Sequence, residues 1–539
     1  MRAGGPDDGQ LRRLIASLVV VRASGTLADH QRRYPQWELP NRSLQELLGQ
    51  GVGGVILLGG TATELALRTR QLRSWSTAPL LLCADVEEGV GQRFEGASWL
   101  VPPLALGRLY GRDPEQALRL AERYGACCGR EARAVGLNWV LGPVCDVNNN
   151  PANPVINVRA WGEEPAVAGT LAAAFVRGLQ ATGVLGCAKH FPGHGDTCSD
   201  SHLELPLLPH SRSRLDQVEL PPFRQAIAAG VGAVMTAHLL LPALDPDRPA
   251  TLSPAVLDQL LRRELGFEGL VVTDALVMEA IAAHTGAGEA AVQALEAGAD
   301  LVLMPADAQE AITAIAAAVE SGRLQRSRLE ASAQRRQQAL ARCAPPAADP
   351  LQAAAADPVL AQELISATLE VSGPAGGLGP GAQAVSGGVN LVRVDQALQS
   401  PLQATGAQAL TLPGAAGLAP CLIGADTPSI WSASTSEPLA LERLGPGPVL
   451  LQLFVRGNPF RGRAGCTEPW PAAIRQLLAA GRLAGLAVYG SPYLWDALRA
   501  ELPASLPAAY SPGQMPAAQA AVLTALGLGE QGQAGDFTD

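Results

Sequence analysis

The chain has 539 residues, 47% of them hydrophobic and 17% charged, enough to bury large cores and too many for a single one. A net charge of −10 without a Lys/Arg run, and only 4% aromatic residues, exclude phosphate-backbone binding and base stacking as main activities. The nine cysteines include the adjacent pair Cys127 and Cys128 and have neither disulfide-like nor metal-like spacing, so they read as reduced core thiols in a reducing compartment.

Residues 1–13 are polar and lack the positive start and apolar run of a signal peptide. The apolar stretch 14–21 is too short to span a membrane and reads as a buried strand. A cytoplasmic chain without a membrane segment is expected. Further short apolar runs follow at 52–58, 80–85, 137–144, 184–189, 233–238, 270–273 and 300–304, bounded by Gly, Pro or Asp. Continuous apolar runs of this length suit parallel strands buried on both faces. Helical stretches alternate with them at 114–134, 163–182, 216–229, 254–265, 288–297 and 308–321, the fourth opened by Ser253 as N-cap with Pro254 at the first helical position. Eight strands with intervening helices predict a (β/α)₈ barrel over 1–345, with reactive residues where strands end; a doubly wound open sheet is the alternative.

A helix is expected at 327–341, then an Ala/Pro-rich linker over 346–358. Strand-like runs at 389–394, 449–454, 483–489 and 506–510, with helices at 471–480 and 515–525, predict a smaller α/β domain over 359–539. The Gly-rich stretch 376–388 lacks the Gly-Lys-Ser/Thr of a phosphate loop and reads as a plain loop.

Histidine is scarce, seven in all, yet His190, His194, His202 and His210 lie together just past the fifth strand. A metal site is one account, but Pro192, Gly193 and Gly195 break the helical spacing that two His four apart would need. Histidines merely hydrogen-bonded in a packed loop are another, which suits His194 and His210. Acid–base catalysis is the third. Asp200 and His202 are two apart, so in an extended loop the carboxylate can bond the imidazole and fix its tautomer. An imidazole titrating near neutrality can then donate and recover a proton. Lys189 and His190 would supply donors to a polyol or acetamido substrate.

Other predicted strand ends add polar groups: Asp85 followed by Arg93, Asp146 and Asn148 followed by Arg159, then His238, then Asp274. Asp274 follows an apolar run and can act as a carboxylate nucleophile, or cap the next helix. A nucleophilic carboxylate with a group that protonates the leaving oxygen is the equipment of retaining glycoside hydrolysis.

The run Lys-His-Phe-Pro-Gly-His-Gly-Asp-Thr over 189–197, with Asp200-Ser201-His202, resembles the signature of the β-N-acetylglucosaminidases of glycoside hydrolase family 3. The resemblance extends over most of 14–345, and it implies a (β/α)₈ barrel followed by an α/β sandwich domain. It also implies roles: Asp274 as nucleophile, His202 as acid/base, Asp200 as its orienting partner. Asp85, Arg93, Arg159, Lys189 and His190 would hold the terminal N-acetylglucosamine. Cell-wall muropeptides are the implied substrates, with no cofactor, no metal and no nucleic-acid partner. Three other readings stand beside it: a β-glucosidase of the same family; a phosphorylase, since a neutral His does not repel phosphate; and a non-enzymatic sugar-binding module.

Overall fold

The structure, a computed structural model, describes residues 6–201, 203–283, 285–346, 356–379, 385–395, 406–424, 427–434, 437–457 and 465–529. The chain forms two compact units, the first drawn mainly from residues up to 360 and the second mainly from those beyond.

In the first unit eight short strands follow one another: β1 (Val19–Ser24), β2 (Gly54–Leu58), β3 (Leu81–Ala84), β4 (Trp139–Val140), β5 (Cys187–Phe191), β6 (Ala233–Thr236), β7 (Leu270–Val272) and β8 (Val302–Leu303). All pair in parallel. One run of hydrogen-bonded neighbours is β4-β3-β2-β1-β8 and the other is β5-β6-β7. Single parallel bridges join the runs, Trp139 to Leu185 and Val144 to Lys189 on one side and Val272 to Leu301 on the other, so each strand neighbours the next around a ring. This is the expected TIM-like α/β architecture. The strands carry Val, Leu, Ile and Cys on both faces because helices cover the outside and side chains fill the inside.

Most expected elements appear within a few residues, and Pro114–Ala134 is a helix over the whole expected range, with Asp113 accepting the Gln116 N–H at 2.9 Å as its cap. Two expectations need correcting. The run 14–21 is not one strand: Leu14, Ile15 and Ala16 end the helix Pro6–Ala16, and β1 begins only at Val19. The expected helix 216–229 is two, Arg212–Gln217 and Pro221–Ala228, because Pro221 and Pro222 can start a helix but not continue one.

The N-terminal end of the barrel is tied by one buried carboxylate. Asp300, just before β8, accepts from Ser332 Oγ (2.8 Å), Arg335 Nη1 (3.0 Å), Arg328 Nη1 (3.3 Å), the Val271 N–H (3.0 Å) and Arg262 Nη2. It joins β7, β8 and the helix Arg326–Ala341.

The second unit holds six strands: β9 (Glu370–Ser372), β10 (Val389–Arg393), β11 (Ala419–Ile423), β12 (Val449–Val455), β13 (Leu483–Gly490) and β14 (Ala508–Ser511). Their order is β11-β10-β12-β13-β14-β9, parallel except for β9, which lies antiparallel to β14. Apolar side chains pack on both faces, Trp470 and Trp495 on one and Phe454 and Tyr489 on the other. β9 and β11 are additions to the four expected strands. Of the expected linker, 347–355 lies outside the described residues, as does 380–384 of the Gly-rich stretch. Among the described residues, no helix is long and apolar enough to cross a membrane.

Replacing Asp300 with Ala leaves three guanidiniums without their shared counter-charge, so the barrel should lose about 3–5 kcal/mol. Urea unfolding of parent and variant checks this; a loss under about 1 kcal/mol would show that the arginines hold this end without it.

Candidate active site

Asp85 and Glu87 follow β3 two residues apart. Both carboxylates reach the Nζ of Lys189 on β5, each at 2.7 Å. Lys189 is 1% exposed. Arg159, at the end of the short turn Asn157–Arg159, forks onto Glu87 with Nε to Oε2 at 2.7 Å and Nη2 to Oε1 at 2.8 Å. Arg93 donates from Nε to the backbone oxygen of Asp85 at 3.1 Å. Four residues expected from sequence to hold a sugar, Asp85, Arg93, Arg159 and Lys189, are thus gathered at one barrel end. Glu87, at the centre of the cluster, was missed by the sequence reading. The signal was present: an acid two residues after Asp85 points to the same side of an extended chain.

The charges set one another. Burial alone would raise the Glu87 carboxyl, but the Arg159 and Lys189 charges outweigh it and hold it well below the usual carboxylate range. Burial likewise disfavours the Lys189 ammonium, but Asp85 and Glu87 hold it above its ordinary value.

Asp146, fully buried just past β4, organises the loop after β5. It accepts the backbone N–H of His194 at 2.7 Å, and it meets His190 through the backbone N–H at 3.2 Å and Nδ1 at 2.7 Å. Burial would raise its carboxyl, yet the His190 interaction leaves it lowered. An ionised Asp146 only accepts, so His190 donates to it from Nδ1.

His194 is a structural residue, in line with the packed-loop reading of that position. Nδ1 meets Thr197 Oγ1 at 2.8 Å and Nε2 meets Ser201 Oγ at 3.0 Å. Burial lowers its pKa to about 4, so it stays neutral at pH 7. His210 bonds Asp196 at 2.9 Å. Asn153 clamps the loop, donating to the carbonyls of His194 and Gly195 at 2.8 Å each. Gly195 is required here: a Cβ would stand 1.8 Å from the Val147 carbonyl oxygen. The loop then brings Asp200, 1% exposed, to a turn in which its carbonyl accepts the N–H groups of Leu203 and Glu204. His202 lies outside the described residues.

Asp274 follows β7 and is half-buried. Its Oδ1 accepts the Ala275 N–H at 2.8 Å, and its own N–H points at Thr236 Oγ1 at 3.4 Å. It does not cap the next helix, which starts at Glu279 with Met278 as N-cap. His238 braces this turn, with Nε2 3.1 Å from the Ala275 carbonyl oxygen and Nδ1 2.8 Å from Thr251 Oγ1. Among the described residues, no group of three or more His, Cys, Asp or Glu is placed to hold a metal ion.

Residues 10–339 match the glycosyl hydrolase family 3 N terminal domain, and 381–527 match the bacterial glycosyl hydrolase family 3 C-terminal domain. The chain is 38% identical over 285 residues to β-hexosaminidase A of Pseudoalteromonas piscicida, covering 49% of this chain and 47% of that protein. It is 38% identical over 286 residues to a β-hexosaminidase of Stenotrophomonas maltophilia, covering 52% of this chain and 84% of that one. A solved glycoside hydrolase family 3 β-N-acetylglucosaminidase from a Paenibacillus species superposes with a TM-score of 0.75 at 31% identity, over 96% of this chain and 97% of that one.

Because Glu87 is ionised in the fold at a pH where an unfolded Glu is protonated, its contribution to stability is present above about pH 4.3 and is lost as pH falls through its lowered folded value. Glu87→Gln should therefore cost about 3 kcal/mol at pH 7 and progressively less in acid. Denaturation curves between pH 3 and pH 7 read this; a deficit independent of pH would remove the ionic role.

Proposed function

The chain belongs to glycosyl hydrolase family 3, and from that premise we propose that it is a retaining exo-glycosidase that removes terminal non-reducing β-N-acetylglucosamine. The observation that carries the reading is one of placement. Asp274 after β7, the Asp85–Glu87–Lys189–Arg159 cluster and the Asp200 loop after β5 all stand at the end of the barrel where βα loops form active sites. The likeness to proteins named β-hexosaminidase supports the choice of sugar.

In this mechanism the cluster and Arg93 hold the hydroxyls and acetamido group of the terminal ring, with His190 presenting Nε2 beside them. Asp274 attacks the anomeric carbon as the imidazolium of His202, oriented by Asp200, gives its proton to the leaving oxygen. The glycosyl ester on Asp274 forms as the aglycone departs. His202, now neutral, takes a proton from water, the resulting hydroxide bonds to the same carbon, and the Asp274 carboxylate leaves. Two displacements restore the starting configuration. We assign the chemistry to residues 1–345, with 346–358 as linker and 359–539 as a second domain. Muropeptide fragments in the cytoplasm are the substrates proposed. Nine cysteines, all unpaired, support a reducing compartment.

Asp274→Ala should reduce turnover of an aryl β-N-acetylglucosaminide by on the order of 10³ or more. Turnover within tenfold of the parent would sink the nucleophile assignment.

His202→Ala should lose far less on an activated phenolate than on a poor leaving group, because an activated group departs without its proton. Steady-state kinetics on a leaving-group series measures this; an equal loss along the series would refute the acid role.

A further inference from the structure

A second feature of the barrel mouth is unused by this mechanism. Between the ends of β1 and β8 lies a cavity of ≈ 410 Å³, roofed by residues 35–40 and walled by the helices Asn41–Gln50 and Ala308–Glu320. Arg22, Trp37, Glu38, Val277, Met304 and Gln309 line it. It shares a wall with the Asp274 loop, since the Val277 N–H donates to the Met304 carbonyl oxygen at 3.1 Å.

Three observations mark it as built for a ligand. Glu38 is 1% exposed; its Oε2 accepts the Tyr34 N–H at 3.1 Å, but its Oε1 is buried and, among the described residues, accepts no hydrogen bond. A buried acceptor left without a donor costs about 1–3 kcal/mol, and more for a charged one. Arg22 is the ion-pair partner of Glu38 through Nη2 at 3.8 Å, beyond hydrogen-bond distance. It stacks over the rings of Tyr34 and Trp37 at 5.3 and 5.5 Å, and among the described residues its guanidinium makes no hydrogen bond. Met304 holds φ at +46°, a left-handed conformation that is strained for a side-chain-bearing residue and collects at binding sites.

The lining chooses the ligand class. Glu38, Glu46 and Asp307 outnumber Arg22, so the cavity repels anions. The Glu38 oxygen lacks a hydrogen-bond donor, and the Arg22 fork beside it has donors to offer. Neighbouring hydroxyls on one ring answer both, and the Trp37 ring supplies an apolar surface for the ring's C–H face. We propose that this cavity is a saccharide site beside the Asp85–Glu87–Lys189–Arg159 cluster, taking one pyranose ring on Arg22, Trp37 and Glu38. The choice of a sugar rests on the hexosaminidase reading; the unfilled oxygen and the cavity do not.

The test titrates full-length Asp274→Ala protein, which does not turn substrate over, with N-acetylglucosamine and with N,N′-diacetylchitobiose by calorimetry. Adding Glu38→Gln or Arg22→Gln should weaken binding of at least one probe about tenfold, the loss of one charge-assisted hydrogen bond. Gln309→Ala is a further variant should either fail to fold. If the site takes the second ring of the substrate, the same variants in the active enzyme should lower kcat/KM for chitobiose about tenfold relative to an aryl β-N-acetylglucosaminide. If it takes a free sugar, that ratio holds and one of two N-acetylglucosamine binding steps weakens about tenfold while the other is unchanged. Titrations matching the Asp274→Ala parent for both probes in every variant would overturn the proposal. Absence of aryl-glycoside turnover in the parent chain would count against the hexosaminidase reading instead, and the titrations would still decide the site.

Discussion

A buried ammonium sets the terms for the mouth of this barrel. Lys189 stands on β5 almost without solvent, and it can do so only because Asp85 and Glu87 approach it to 2.7 Å from β3. Each ion taken from water costs several kcal/mol, and a cluster of this kind is tolerable only when every charge is answered. Arg159 completes the account by forking onto Glu87. With Arg93 beside Asp85, two acids face three basic groups, and their dipoles are held in place by one another. Donors and acceptors fixed in this way need little reorganisation when a polar group meets them.

The loop after β5 is rigid for a related reason. Asp146 takes three donors from His190 and His194, Asn153 takes up the His194 and Gly195 carbonyls, and Gly195 lets the chain pass against Val147. The conspicuous histidines therefore divide their labour. His194 is a neutral internal strut with both ring nitrogens engaged. His190 has its Nδ1 fixed by Asp146. The strut and the clamp carry the chain to Asp200 at a set position.

The barrel was legible from composition because continuous apolar runs such as Val55–Ile56–Leu57 and Leu270–Val271–Val272 have few other uses. What escaped was set by contacts distant in sequence. Ile15 and Ala16 are as apolar as a strand but belong to a helix end packed on the core, so β1 starts later than its apolar run. β9 is three partly exposed residues at a sheet edge, and β11 carries Pro420; neither shows the buried pattern of an inner strand. Asp85, Lys189 and Asp274 were readable because they follow such runs. Glu87 lies beyond the end of its apolar run, where periodicity no longer marks a residue. The cavity beside Arg22 was beyond any local reading, since its walls come from positions near 22, 37, 277 and 304.

The two ends of the barrel use the same ingredients, buried carboxylates and guanidiniums, for opposite purposes, and hydrogen-bond saturation tells them apart. Asp300 at the N-terminal end has both oxygens filled, by three arginines, a serine and a backbone N–H. Its arginines are also spoken for: Arg262 donates to the carbonyls of Phe267 and Gly269, and Arg328 to that of Ala299. A group so fully answered has nothing left to offer a ligand, and its work is to hold β7 and β8 to the helix behind them. At the opposite end Glu38 keeps an oxygen without a donor among the described residues, and Arg22 stacks on aromatic rings without a hydrogen bond among them. Burial makes the unmet Glu38 bond costly, so it favours whatever small molecule completes it.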